Sequence, residues 1–257
     1  MARGAAIRDA LKSGRKMLGG WTNMNSPIAT EIMAGAGFDL IMIDQEHGPG
    51  NNMDAILQQQ AIRAAGDSHS LLRVHDNNVQ LIKQALDTGI DGLMVPQVET
   101  AEAAAQVAAA CRFPPVGIRG VAPGNVRAAR YGYDKEAFIA NQGADVFVVS
   151  QVESELTVRN LPEIGKVDGI DMLFIGRNDL ASSIGRLADL NDPAAKQLRE
   201  EAERLIKESG RFMGGIPGPG DSAKDMFARG YDLVIAAADH ALLRDGAVAL
   251  VKAHADR

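Results

Sequence analysis

Five times along this sequence a glycine, one further residue and an aspartate lead into a short apolar run: "GAGFDLIMID", "TGIDGLMVP", "QGADVFVVSQVE", "DGIDMLFIG" and "RGYDLVIAA". The glycines, Gly37, Gly89, Gly143, Gly169 and Gly230, stand 52, 54, 26 and 61 residues apart. Those intervals are roughly one or two times a single strand–helix unit. Glycine just past a helix takes the left-handed conformation that a β-carbon resists. The run that follows is continuously apolar, the pattern of a parallel strand buried on both faces. Filling the gaps gives eight strands, at 17–21, 39–43, 70–74, 92–96, 145–152, 171–175, 211–215 and 232–237. Helices lie between them, for example over 53–65, 79–88 and 194–209. Eight such units predict an α/β chain folded as a (β/α)8 TIM barrel, one domain over 1–257. An open doubly wound sheet would need a glycine-rich phosphate turn after the first strand, which "LGGWTNMNSP" does not supply.

Composition narrows the partners. An apolar fraction of 46% is enough for a sizeable core, and a net charge of −6 advertises no basic face for nucleic acid. No run approaches the roughly 18–20 apolar residues of a membrane span, and the basic N-terminus has no apolar signal core before Met17. The single cysteine, Cys111, ends an Ala-rich helical stretch and reads as a buried structural thiol. A cytoplasmic protein with no membrane partner is expected.

Chemistry in such barrels occurs at the C-terminal ends of the strands, which sorts the acids. Asp39, Asp91, Asp145, Asp171 and Asp232 precede their strands and read as turn residues at the opposite end. Asp39 should therefore tolerate Asn or Ser. Asp44, Glu153, Asp179 and Asp239 follow theirs. Asp239, in "AADHALL", fits a cap on the last helix, and Asp179 fits a cap before "LASSIG". Glu153 closes a buried run beside Gln151, where a lone carboxylate costs desolvation unless paired or metal-bound. It lies one strand–helix unit from Asp179, so the two should converge, and such oxygens suit Mg²⁺ or Mn²⁺. Arg73 ends the third strand, placed to hold a carboxylate or oxyanion or to pair across the barrel. His47, in "DQEH", is the candidate acid/base, with Asp44 its supporting neighbour and Glu46 an ion pair in the loop. His75 is a weaker candidate, and His69, His240 and His254 read as structural or solvated. Trp21 either walls the pocket or packs the rim.

The stretches "GFDLIMIDQEHGP", "GLMVPQVETAEAA", "FPPVGIRGV", "QVESELTVRNLPEI" and "VDGIDMLFIGRNDLA" resemble the metal-dependent (class II) 2-keto-acid aldolases. That family includes 2,4-dihydroxyhept-2-ene-1,7-dioate aldolase and 2-keto-3-deoxy-sugar-acid aldolases, with citrate lyase β-subunit and malyl-CoA lyase as relatives. The resemblance runs from about residue 15 to about residue 250. It implies reversible cleavage of 4-hydroxy-2-keto acids to pyruvate, or a close analogue, and an aldehyde, through a metal-stabilised enolate. It implies Glu153 and Asp179 as ligands of a divalent ion (Mg²⁺, Mn²⁺ or Co²⁺). Arg73 and Gln151 would hold the pyruvyl unit, and backbone amides from Gly176 through Asn178 to Asp179 its carboxylate. His47 would be the acid/base group, acting through a water ordered by Asp44, and Trp21 would line the pocket. No strand-end lysine is needed for a Schiff base, since Lys83, Lys166 and Lys224 fall in helices or loops. A malyl- or citryl-CoA-type lyase on the same site is the alternative, but no basic patch marks a CoA groove.

Two departures from the family pattern stand out. Arg177 occupies a turn position where the family carries Pro, and Gln45 stands where Gly is common. The family also pairs Asp87, in "LIKQALDTG", with the loop histidine. Barrel polarity puts Asp87 at the wrong end for that, so it should meet His47 of another subunit. The resemblance implies a homohexamer, a trimer of dimers, with the last helix, "DHALLRDGAVALVKAHA", exchanged between subunits. The excursion at 113–142 could climb to the mouth or reach a neighbour, and both interface contact and binding of a distal substrate acid are open. "GGIPGPGD" reads as a flexible rim or a simple loop.

Overall fold

The computed structural model describes residues 3–141, 143–187 and 189–255. Residue 142 of the excursion, and the ends of the 1–257 span, lie outside them. Eight parallel strands close in chain order: β1 (Met17–Thr22), β2 (Leu40–Asp44), β3 (His69–Arg73), β4 (Gly92–Val95), β5 (Phe147–Val152), β6 (Met172–Ile175), β7 (Phe212–Gly215) and β8 (Leu233–Ala238), with β8 against β1. The expected TIM barrel is what the chain forms. Helices α1 (Gly4–Lys12), α2 (Pro27–Gly35), α3 (Asn52–Ala65), α4 (Val79–Asp87) and α5 (Ala101–Ala110) precede the excursion. The later helices are α6 (Lys135–Ala140), α7 (Glu155–Ile164), α8 (Arg177–Ser183), α9 (Pro193–Ser209), α10 (Ala223–Ala228) and α11 (Asp239–Ala253).

Strand side chains alternate, and the alternation divides the core in two. Leu40, Met42, Leu71, Met94, Phe147, Val149, Met172, Phe174, Leu233 and Ile235 fill the barrel. Ile41, Ile43, Leu72, Leu93, Val95, Val148, Leu173, Ile175 and Val234 pack outward against the helices. Sequence reasoning missed α1, which plugs the lower end of the barrel. Its Ile7 and Leu11 join the interior cluster, and Gly4 approaches the Asp145 carbonyl so closely that a β-carbon would collide with it.

All five repeat glycines adopt positive φ: 97°, 81°, 83°, 98° and 104° at Gly37, Gly89, Gly143, Gly169 and Gly230. The aspartates that follow do more than turn the chain. Each one before an even-numbered strand accepts the backbone N–H of the preceding odd strand. Asp39 takes Leu18 at 2.9 Å, Asp91 takes Ser70 at 2.9 Å, Asp171 takes Val148 at 2.8 Å and Asp232 takes Met213 at 2.9 Å. A cation neutralises each: Arg15 for Asp39, Arg3 and Arg63 for Asp91, Arg8 for Asp171 and Lys16 for Asp232. Asp145, before an odd strand, is instead bonded by Asn141. The Arg15 partner of Asp39 is largely exposed, so that pair is a surface contact, whereas Asp91 is neutralised in the interior.

The excursion does not climb to the mouth of its own barrel. It carries a 3-10 segment over Arg127–Gly132 and then α6, and it folds along the lower flank. Arg127 donates to Gln59 Oε1 and to the Thr88 carbonyl, both at 2.7 Å. Arg119, buried between Phe113 and Phe138, reaches Asp87 at 2.9 Å. The rim loop is pinned too: Asp221 accepts from Arg177 at 3.2 Å and from Arg229 at 2.9 and 3.0 Å.

Asp91 is fully buried and takes four hydrogen bonds, from the backbone of Arg3, from Arg63, and from both the backbone and hydroxyl of Ser70. Removing it strands two arginines and a strand end. Asp91→Ala should cost about 3–5 kcal/mol, as when one partner of a buried ion pair is lost. Urea or thermal unfolding beside Asp145→Ala reads this; equal, small losses in both would refute the clamp.

Candidate active site

At the upper end the interior columns continue, but their chemistry changes. Leu40 and Met42 lead to Asp44, and Leu71 leads to Arg73. Phe147 and Val149 lead to Gln151 and Glu153, Phe174 leads to Gly176, and Met17 and Gly19 lead to Trp21 and then Asn23. One alternation thus aims apolar residues into the core and these polar ones at the mouth.

Arg73 is the centre. Its Nε and Nη2 donate to the two oxygens of Asp44 at 2.9 and 2.7 Å, the paired geometry that fixes a guanidinium plane. Asp44, on the neighbouring strand, also accepts from the Asn23 side chain at 2.5 Å and from the backbone of Glu46 and His47 at 3.0 and 3.3 Å. The Trp21 ring lies 4.5 Å from the guanidinium carbon and meets Phe174 edge-on. Glu46 forms the expected ion pair: its Oε2 sits 2.7 Å from Arg73 Nη1. That contact is off the line of a hydrogen bond, and the oxygen has no hydrogen-bond partner. Burial outweighs the pull of Arg73 and holds the Glu46 pKa above the ordinary glutamate value.

Glu153 faces this cluster. Its oxygens accept from the Gln97 backbone at 2.6 Å and from Gln151 Nε2 at 2.7 Å. Burial, with Glu46 and Asp179 adding negative charge, pushes its pKa up to about 7 against the opposing Gln97 bond. Gln97 has φ 56°, a left-handed strain of the kind held at functional sites, and it aims an N–H at the acid. Gln151 Oε1 is buried without a donor. A β-carbon on Gly176 would rest against Gln151 and Glu153, so the glycine keeps that corner open.

Asn178 and Asp179 are exposed on the first turn of α8. Arg177 turns away from the mouth into the Asp221 pair and adds no charge to the site. His47 is exposed on the loop after β2, and His75 is exposed after β3. Asp87 ends α4 at the lower flank, paired with Arg119. Cys111 is buried, its thiol pushed up to about 12. Asp239 is not the expected helix cap. The capping position of α11 is Ala238; the Asp239 carboxylate accepts one first-turn N–H, that of His240 at 2.7 Å, together with the backbone N–H groups of Asn23 and Met24, both at 3.0 Å. Sequence reading also missed Asn23 and Gln97. Asn23 could have been found by continuing the inward alternation two residues past Trp21; no sequence signal marks Gln97.

Among the described residues no three His, Cys, Asp or Glu side chains are grouped to hold a metal ion. Glu153 and Asp179 are two oxygen donors whose mutual repulsion a hard divalent cation would relieve, with other positions left for ligand and water. That donor set fits such an ion.

A guanidinium held rigidly beside desolvated carboxylates, at the end of the barrel where such folds carry their chemistry, suits an enzyme that handles small oxyacids. The HpcH/HpaI aldolase/citrate lyase family model matches residues 17–244, and the chain belongs to that family, as a carbon–carbon lyase. It is 38% identical over 239 residues to the 4-hydroxy-2-oxovalerate aldolase of Rhodococcus jostii, covering 93% of this chain and 91% of that one. It is 37% identical over 245 residues to the 4-hydroxy-2-oxo-heptane-1,7-dioate aldolase of Klebsiella pneumoniae, covering 95% and 92%. The crystal structure of an HpcH/HpaI aldolase/citrate lyase family protein from Burkholderia cenocepacia superposes with a TM-score of 0.91 at 35% identity, covering 97% of this chain and 99% of that one.

The raised Glu153 pKa has a stability consequence. The folded state binds this proton more tightly than the unfolded chain does. Its contribution is therefore complete below the ordinary value of 4.5 and is lost as pH rises through about 7. In chelator-treated protein, melting temperature should fall between about pH 5 and pH 8, and Glu153→Gln should flatten that fall. Parallel curves for the two proteins would exclude Glu153 as the source.

Proposed function

We propose that this protein reversibly cleaves 4-hydroxy-2-oxo acids to pyruvate, or a close analogue, and an aldehyde. The observation that carries the reading is Arg73, locked by Asp44 at the mouth beside Glu153. Cleavage of the C3–C4 bond sends its electron pair to C3, and the negative charge spreads onto the C2 oxygen as an enolate. A fixed cation gains more from that charge than from the neutral ketone before it, which is the condition for lowering the barrier. A divalent ion (Mg²⁺, Mn²⁺ or Co²⁺) held by Glu153 and Asp179 supplies Lewis-acid help to the same oxygen when bound.

The remaining roles follow from position. Arg73 has five N–H donors and spends two on Asp44, so donors remain for the pyruvyl oxygens. Gln151 contacts the same unit, and the backbone from Gly176 to Asn178 and Asp179 faces its carboxylate. Trp21 walls the pocket. His47 takes the proton from the C4 hydroxyl, leaving an aldehyde carbonyl, and returns one to C3 to form the methyl of pyruvate. Five donors occupy the oxygens of Asp44, so its part is to hold Arg73 rather than to order a water. The aldolase names of the relatives favour this reading over the CoA-type lyase.

The working form we propose is a homohexamer of single-barrel subunits, a trimer of dimers, with α11 exchanged. Helix α11 leaves Leu242, Leu243, Leu250 and Val251 exposed, α2 leaves Ile28 and Ile32 exposed, and the excursion leaves Val116, Ile118 and Tyr133 exposed. Apolar surface on that scale supports subunit contacts. Asp87 would then reach His47 of a neighbour. Among the described residues no helix is long and apolar enough to cross a membrane. The lone buried cysteine fits a reducing cytoplasm.

Pyruvate release from a 4-hydroxy-2-oxo acid should stop with EDTA and return with Mg²⁺, Mn²⁺ or Co²⁺. Arg73→Ala should lower kcat about 10²–10³-fold, the usual loss of an oxyanion donor. Activity that survives chelation, or survives Glu153→Ala, would sink the metal-dependent reading. Co-expressed Asp87→Asn and His47→Ala chains, each inactive alone, should regain activity in mixed oligomers. An active monomer on gel filtration would exclude the Asp87 role.

A further inference from the structure

The last helix is tied to the mouth of the barrel by a buried carboxylate that no step above uses. Asp239, first residue of α11, is 5% exposed. One oxygen accepts the Asn23 N–H at 3.0 Å and the His240 N–H at 2.7 Å, and the other accepts the Met24 N–H at 3.0 Å. His240, its nearest imidazole, stands 3.6 Å away and is half exposed. Two backbone N–H groups on one carboxylate fix the peptide units that leave β1. On the far side Asn25 holds a left-handed φ of 54°, and its side-chain oxygen accepts from Gln58 at 2.8 Å. The segment 23–25 is thus clamped between the start of α11 and the middle of α3.

This segment acts on Arg73 from two sides. The Asn23 side chain donates to Asp44 Oδ2, the oxygen that also receives Arg73 Nη2. Two residues earlier, near the end of β1, Trp21 lies against the face of the guanidinium. Moving the 21–24 segment therefore shifts both the acid that orients Arg73 and the ring on which it rests.

We propose that Asp239 is a positioning residue for Arg73, acting through Asn23 and Asp44. It sets the plane of the guanidinium from the base of the helix that carries the exposed apolar face. The effect on catalysis rests on the aldolase reading above. The placement of Arg73 does not, and it has its own reporter, because Trp21 is the only tryptophan in the chain.

The test compares purified, assembled wild type with Asp239→Asn, Asn23→Ala, Asp44→Asn and, as a reference on the same helix, His240→Ala. Asp239→Asn turns an amide toward one backbone N–H. Asn23→Ala keeps both backbone ties and cuts only the link to Asp44. Trp21 emission and its quenching by acrylamide should move in Asp239→Asn and Asn23→Ala in the same direction as in Asp44→Asn, and stay at the wild-type value in His240→Ala. With a 4-hydroxy-2-oxo acid, kcat should fall on the order of 10- to 100-fold in both, with a smaller change in KM, as expected for a slightly misplaced catalytic group. A lower melting temperature with unchanged Trp21 quenching would make Asp239 merely structural and overturn the proposal. Should Asp239→Asn fail to fold, Asn23→Ala decides alone, and a wild-type Trp21 signal there overturns it. If wild type has no aldolase activity, the functional reading fails while the fluorescence comparison still judges this one.

Discussion

Everything at the mouth of this barrel depends on side-chain alternation in strands that all point the same way. A closed eight-stranded barrel must fill its interior, and each strand can offer only every second residue. Below, those residues are Leu, Met, Phe and Val. Above, the same columns supply Trp21, Asp44, Arg73, Gln151, Glu153 and Gly176. Packing that fills the core also fixes the directions of the site groups. A one-residue slip in any strand would turn its site residue outward among the helices.

The site concentrates charge in a place that resists it. Arg73, Asp44 and Glu46 share a largely buried space, and Glu153 adds a further acid. The geometry resolves this unevenly. Asp44 is saturated by donors and serves as a fixed counter-charge. Glu46 and Glu153 are left with raised proton affinity, both through burial, and at Glu46 the pull of Arg73 is too weak to reverse it. Such a cluster costs folding free energy, of the kind stored at sites where a ligand later offsets it. The strained Gln97 backbone belongs to the same arrangement.

Much of this was readable from the sequence because the repeat encodes it. Gly37 and its four counterparts announced the turns, the apolar runs after them gave five of the eight strands, and the spacing between them left room for the other three. Barrel polarity then separated Asp39 from Asp44 correctly by end. What the repeat could not show was partnership. That Asp39 clamps Leu18, or that Asp239 grips Asn23 from the first turn of its helix, depends on contacts between distant segments with no sequence period. Helix α1 was missed because its amphipathic stretch lies outside the repeat, and its binding site exists only once the barrel has closed. The excursion was legible as an insertion, but its seat on the lower flank is set by Arg119 and Arg127 meeting Asp87, Gln59 and Thr88.

The aspartate clamps also bear on how the chain reaches this shape. Those at Asp39, Asp91, Asp171 and Asp232 join residues 21, 21, 23 and 19 positions apart, whereas the pair Lys16–Asp232, across the β8–β1 seam, joins residues 216 apart. Closing the longer loop costs about 2 kcal/mol more in chain entropy. Four two-strand units can therefore condense on their own carboxylates before the seam is sealed. Asp232 belongs to both events: it holds β7 within the last unit and receives Lys16 when the first strand arrives, so the final unit to be synthesised carries the latch that shuts the ring.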